Sequence, residues 1–278
     1  MLFIVSLRFL TGAGLTEEAS GQWSASGLIG GVFVWLCATV AVYLLNGVVD
    51  AYEDRVNGSS RPIARGLLSH GRARAVVLGS AVFALLGAAA LSNGMVVVTT
   101  VYLAIGYAYS GPPFVLKQRS IPAAAVVIVA GLLTYTAGAL LSGRSSVGFP
   151  LLICAVVMSA WMGFVGALAK DLSDVEGDRA AGRRTGVIVW GERRVRCAVA
   201  GGALACAAVL LIAALTRATE LVLPAMVLTL GSFAVTGLAL SSYTTGSRRR
   251  ARLPYRAFMI TQIAVHVAIL VAVLLKVL

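Results

Sequence analysis

Long apolar runs, broken by short clusters of charge, set the pattern of this chain. Runs of roughly 20 residues are long enough to cross a bilayer as helices. They place helices near 2–15, 24–48, 75–91, 95–111, 121–142, 147–168, 197–216, 221–243 and 257–277. The third and fourth share one uncharged stretch, 75–116, too long for one span, and Ser92-Asn93-Gly94 supplies the turn between them. The pattern therefore predicts an all-α polytopic membrane protein: nine transmembrane helices around a central cavity, as a single transmembrane domain over residues 1–278. The first run is short and carries Arg8. No basic segment precedes it and "TEEASGQW" (16–23) is a poor cleavage site, so it reads as a short first helix and not a leader.

Composition agrees. The 278 residues are 59% hydrophobic and only 12% charged, where a soluble domain carries about a quarter charged residues. A net charge of +12 could suggest nucleic acid, but its distribution points elsewhere. Of the 23 basic residues, 19 fall in the loops after the second, fourth, sixth and eighth helices. The intervening loops hold only Arg144 and Arg217. This alternation places the basic loops and the N-terminus on the cytoplasmic side and leaves no role for nucleic acid. Cys37, Cys154, Cys197 and Cys206 lie in apolar runs, in no CxxC or His-containing cluster, and read as small buried hydrophobes. His266, alone on the last helix, and His70, in a loop, read as structural.

The acids are as uneven as the bases. Seven of 11 sit in "NGVVDAYED" (46–54) and "KDLSDVEGD" (170–178), both at helix ends on the same predicted side. Asn46, Asp50 and Asp54 are spaced i, i+4, i+8, one stripe if the helix continues; Asp171, Asp174 and Asp178 are spaced i, i+3, i+7, again one face. Glu53 and Glu176 point off these stripes and read as solvated or structural. Two facing acidic stripes repel unless cations lie between them. An all-oxygen set suits Mg²⁺, Ca²⁺ or Mn²⁺, and Mg²⁺ completes its shell with water and substrate phosphates. A Mg²⁺–diphosphate complex is the expected guest. Arg61, Arg65, Lys117, Arg119, Lys170 and Arg183 lie in the same loops, as forks and point charges for phosphate oxygens. A transporter would carry such acids near mid-membrane on broken helices; here they lie at helix ends, which favours chemistry at an interface.

These residues resemble a known family. Asn46-x3-Asp50-x3-Asp54 followed by "RPIARGLLS" (61–69) is similar to the first signature of the UbiA superfamily of intramembrane prenyltransferases. "KDLSDVEGDRAAGRRT" (170–185) is similar to its second, and "YSGPPFVLKQR" (109–119) resembles the loop of its chlorophyll-synthase-like branch. The resemblance runs along the whole chain. It implies a helical bundle with a cavity opening sideways to lipid, its acidic motifs capping the cytoplasmic side. It implies that Asn46, Asp50 and Asp54 hold one Mg²⁺ and that Asp171, Asp174 and Asp178 hold another, while Lys117, Lys170 and Arg61 bind the leaving diphosphate. Asp50, Asp54, Asp174, Asp178 and Lys170 are the candidate catalytic residues. Arg65, Arg119, Tyr109, Trp161 and Phe164 join the candidate substrate-binding set. Tyr43, Tyr102, Tyr107 and Tyr135 are further aromatic faces for an allylic cation.

Two positions depart from the family pattern. Gly47 stands where a second Asp is usual, and Pro113 stands three residues before the position preceding Lys117, where aromatic-acid prenylating members carry Tyr. The expected activity is transfer of a prenyl group from its diphosphate to a lipophilic acceptor that the sequence does not identify. The alternative is a terpene cyclase of the same superfamily, which cyclises a substrate such as geranylgeranyl diphosphate with no acceptor. A phospholipid headgroup transferase needs a motif absent around Asp50. The Ala-, Gly-, Val- and Arg-rich composition associates the chain with a GC-rich bacterium, hence with a bacterial cell membrane.

Overall fold

A computed structural model of the chain describes residues 2–16, 25–142 and 147–277. Its helices, in order, are α1 Leu2–Gly14, α2 Ala25–Val49, α3 Ala51–Val56, α4 His70–Leu91, α5 Asn93–Ser110, α6 Ser120–Ala139 and α7 Phe149–Ala160. A π-helical stretch, Trp161–Ala167, carries α7 into α8 Leu168–Asp171. There follow α9 Val175–Ala180, α10 Gly186–Trp190, α11 Glu192–Thr216, α12 Val222–Leu240, α13 Arg248–Ala251 and α14 Leu253–Val277.

Among the described residues, seven helices are long and apolar enough to cross a membrane: α2, α4, α6, α7 continued through α8, α11, α12 and α13 continued through α14. The other two expected spans are helices in the expected places but do not meet that measure. α1 is apolar but only 13 residues long. α5 has 18 residues and carries three tyrosines, two threonines and Asn93. The break between α4 and α5 is a single residue. Ser92 is extended, and its Oγ accepts from Met95 N–H at 3.1 Å, capping α5. α11 and α14 begin four or five residues earlier than hydropathy alone places them. Glu192, Arg193, Arg194 and Arg196 are good helix formers and extend α11; α14 takes in Leu253-Pro254-Tyr255-Arg256, with Pro254 in the first turn, where its missing N–H costs no bond.

The short α1 is an internal packing element. It lies against α6, α14 and α2, with Phe9 fully buried. A Cβ at Gly12 would overlap the Tyr135 carbonyl, and one at Gly138 would overlap the Phe9 carbonyl. The two backbones therefore touch, the close approach that small residues allow between membrane helices. Arg8, buried on α1, donates from Nη2 to Gln262 Oε1 of α14 at 2.5 Å. Beside it, Tyr135 of α6 and His266 of α14 are hydrogen-bonded at 2.6 Å, which gives His266 the structural place expected of it. Two apolar clusters fill the bundle, one centred on α2, α4 and α5 and the other on α7, α11, α12 and α14; α6 contributes to both. The chain is an integral membrane protein, and the loops with the acidic motifs meet at one end of this bundle.

Candidate active site

Both acidic motifs are built the same way, as a long helix broken at an aspartate and resumed as a short one. α2 stops at Val49, Asp50 takes the bridge conformation (φ −83°, ψ 5°), and α3 begins at Ala51. The i→i+4 pattern survives the break, with Asp50 N–H to Asn46 O and Asp54 N–H to Asp50 O both at 2.8 Å. Asn46, Asp50 and Asp54 therefore stay in line. In the second motif Leu172, Ser173 and Asp174 (φ −110°, ψ 14°) separate α8 from α9, and Asp178 N–H reaches Asp174 O at 3.0 Å. The short helices α3 and α9 pack against each other. Asn57 Oδ1 accepts from Gly177 N–H at 3.0 Å, and a Cβ at Gly177 would overlap the Asn57 amide. Glycine there lets the two motifs close.

Between them lies a small polar pocket of about 60 Å³, lined by Asp50, Glu53, Asp54, Asp174 and Asp178 and by Arg61, Lys170, Arg183, Arg248 and Arg252, with Asn57 and Ser59 at its edge. Every lining carboxylate has a basic partner. Asp54 pairs with Arg61 at 2.8 Å, and Arg61 lies 3.6 Å from Asp50. Asp50 also pairs with the buried Lys117 beneath it and with Arg183 at 2.8 Å. Arg183 pairs with Glu53 and lies 3.5 Å from Asp178, so one guanidinium bridges both motifs. Lys170 meets Asp174 at 2.7 Å. Buried ion pairs contribute little net stability, because desolvation offsets their attraction. A ring of them is better explained by a guest than by folding.

Several of the expected site residues come together. Asp50, Asp54, Asp174, Asp178, Lys170 and Arg61 line the pocket, and Lys117 lies directly below. Backbone strain supports that position: Val115, a β-branched residue at φ 40°, turns the loop that delivers Lys117. Tyr109 lies within electrostatic reach of Lys170 and Arg183.

Other placements differ. The second stripe splits at its helix break: Asp171 accepts from Ser120 Oγ at 3.0 Å and is not in the pocket lining, unlike Asp174 and Asp178. Arg65 and Arg119 are exposed and outside the lining; Arg119 instead forms an isolated bridge with Arg184. Trp161 and Phe164 do not share a face. The π-helical winding between them, with i→i+5 bonds, widens the angle between residues three apart. Trp161 is 0% exposed and stacks on Phe258 with centroids 5.7 Å apart, whereas Phe164 is 52% exposed on the outer surface. Tyr43 lies under Arg61, 5.2 Å from ring centroid to guanidinium, and Tyr107 is exposed. Glu53, expected to be solvated or structural, is half-buried and lines the pocket: it follows Asp50 by three residues, which an unbroken i→i+4 pattern sets on the same face. Arg248 and Arg252 were invisible as site residues in a basic loop that topology alone explains.

The electrostatics follow from this crowding. Burial would raise Asp174, but Lys170, Arg252 and Arg248 outweigh it and hold the carboxyl below its usual range. Burial pushes Asp178 up in spite of Arg183. Burial, and then the charge of Asp50, pushes Glu53 up to about 7 against the pull of Arg183. Burial also lowers Lys117, against the pull of Asp50.

Among the described residues no three acidic, His or Cys side chains converge as a ready-made metal cage. The donor set nevertheless fits Mg²⁺, which takes one or two carboxylates and leaves the rest of its shell to water and phosphate. All the acidic ligands are oxygen, and Asn46 Oδ1, one turn before Asp50, is buried with no hydrogen-bond partner.

Comparison with known proteins accords with this architecture. The UbiA prenyltransferase family profile matches residues 7–272, and the chain belongs to that family. It is 33% identical over 187 residues to the digeranylgeranylglyceryl phosphate synthase of Halobacterium salinarum, covering 66% of this chain and 63% of that one. It is 32% identical over 169 residues to the homogentisate phytyltransferase of Synechocystis sp., covering 58% and 55%. These alignments thus span less than two thirds of the relatives' lengths. The fold is that of a UbiA homolog from Archaeoglobus fulgidus solved with GPP and Mg²⁺, with a TM-score of 0.73 at 17% identity over 98% of this chain and 96% of that one.

Proposed function

We propose that the protein is a Mg²⁺-dependent prenyltransferase that ionises a prenyl diphosphate and passes the allylic group to a lipophilic acceptor. The observation that carries this is the pair of broken-helix carboxylate motifs, closed face to face within a ring of basic side chains. Asn46, Asp50 and Asp54 on one side, and Asp174 and Asp178 on the other, would hold the metal. When bound, Mg²⁺ supplies charge neutralisation to the leaving diphosphate. Arg61, Lys117, Lys170 and Arg183 donate to its oxygens, which favours the charge that grows as the C–O bond breaks and its electron pair leaves with the diphosphate. Apolar walls keep water from the cation, and Tyr109, within electrostatic reach of Lys170 and Arg183, is an aromatic face beside the motifs. The site works within a single transmembrane domain, its loops on the cytoplasmic side of a bacterial cell membrane.

The relatives named above carry names with unlike molecules, a glyceryl phosphate in one and homogentisate in the other. The acceptor is therefore a question for product analysis. Purified protein in detergent with Mg²⁺ and geranylgeranyl diphosphate is expected to yield a prenylated adduct only when an acceptor of one of these classes is supplied. A cyclic hydrocarbon formed without acceptor would instead make this a terpene cyclase.

A further inference from the structure

The loop from α12 to α14 lies far along the chain from both acidic motifs, yet it closes one side of the pocket. Arg248 Nε donates to the Ser173 carbonyl at 3.1 Å, and its Nη2 donates to Asp174 Oδ1 at 3.1 Å. Arg252 Nη1 lies 3.7 Å from the same oxygen, while Lys170 holds the other at 2.7 Å. One carboxylate thus carries three cations, and a carboxylate that takes up a metal ion cannot keep all three.

The two arginines are also, with Lys170, the exposed members of the ring: their side chains are 36% and 34% exposed and that of Lys170 41%, against 24% for Arg61, 9% for Arg183 and 2% for Lys117. They sit four residues apart, at and just past the ends of the four-residue α13, which follows Gly246 at φ 82° and is capped by Ser247. Arg252 lies over the Tyr255 ring at 5.6 Å, which covers one guanidinium face and leaves its edge for polar contacts. The free volume within the ring is about 60 Å³, and the side chains of Arg248 and Arg252 border it.

We propose that Arg248 and Arg252 form a diphosphate clamp: they shield Asp174 until it takes up metal, then release it and grip the oxygens of the incoming diphosphate from the pocket's open side. The proposal rests on the function proposed above. A planar guanidinium fork matches phosphate oxygens as well as it matches a carboxylate, so the exchange keeps both groups paired throughout. A fixed structural latch is the competing role.

Inorganic pyrophosphate, titrated calorimetrically with Mg²⁺ into the full chain in detergent, separates the two. Arg248→Gln and Arg252→Gln are each expected to weaken pyrophosphate by about tenfold, with the ligand-free thermal midpoint little changed. A latch predicts the reverse, a lower midpoint with pyrophosphate affinity intact, and that result overturns the clamp. Should the Gln variants not fold, Arg248→Lys and Arg252→Lys keep the charge beside Asp174 but lose the fork. Weakened affinity at an unchanged midpoint supports the clamp, and unchanged affinity overturns it. Wild-type protein that binds no pyrophosphate with Mg²⁺ would remove the proposed function and the clamp with it.

Discussion

Glu53 shows how one residue's surroundings reassign it. Three residues after Asp50, on a hydrogen-bonding pattern that runs on through the break, it meets Arg183 inside the pocket. Its carboxyl is raised to about 7 from an ordinary 4.5, so folding takes up a proton in that window. The stability this contributes is present in full below about 4.5 and is lost as pH rises through about 7. With no divalent ion added, the wild-type thermal midpoint should fall across that range, and Glu53→Gln should flatten the fall. An equally steep profile in the variant would show that Glu53 is not the titrating group. Spacing along the sequence sufficed to find Asp50, Asp54, Asp174 and Asp178, because charge is rare in such a chain and its position is informative. Arg248 and Arg252 escaped because positive-inside topology explains basic loops equally well.

Among the elements, hydropathy located the long helices and the short α1 but not the short α3, α9, α10 and α13, and the differences lie where local geometry overrides periodicity. The π-helical stretch Trp161–Ala167 is the clearest case. Trp and Phe three residues apart imply one shared face under α-helical winding; the wider turn buries one and exposes the other. Trp161→Ala should cost about 3–5 kcal/mol of stability by emptying a filled site, whereas Phe164→Ala at the outer surface should stay within about 0.5 kcal/mol. Unfolding in mild detergent would read both, and equal costs would rule out the π register. The break over residues 172–174 likewise parts Asp171, held by Ser120, from Asp174 and Asp178. Sequence spacing cannot report either event, because both depend on where backbone hydrogen bonds skip a residue.

Across the whole molecule, charge and hydropathy tell one story: apolar helices in lipid, with carboxylates and most bases gathered at one end. That end should face the cytoplasm. In a cysteine-free background, Arg249→Cys in the α12–α14 loop should resist an impermeant thiol reagent added to intact cells, and Arg217→Cys after α11 should react. The opposite labelling pattern would invert the orientation. In the proposed reaction the two motifs together ionise a prenyl diphosphate. Pyrophosphate release from geranylgeranyl diphosphate, with acceptor present and with or without Mg²⁺, tests it most directly. Release that needs Mg²⁺ and falls about a hundredfold or more in both Asp50→Asn and Asp174→Asn is the predicted result. Release that survives chelation, or that persists in either variant, would contradict it.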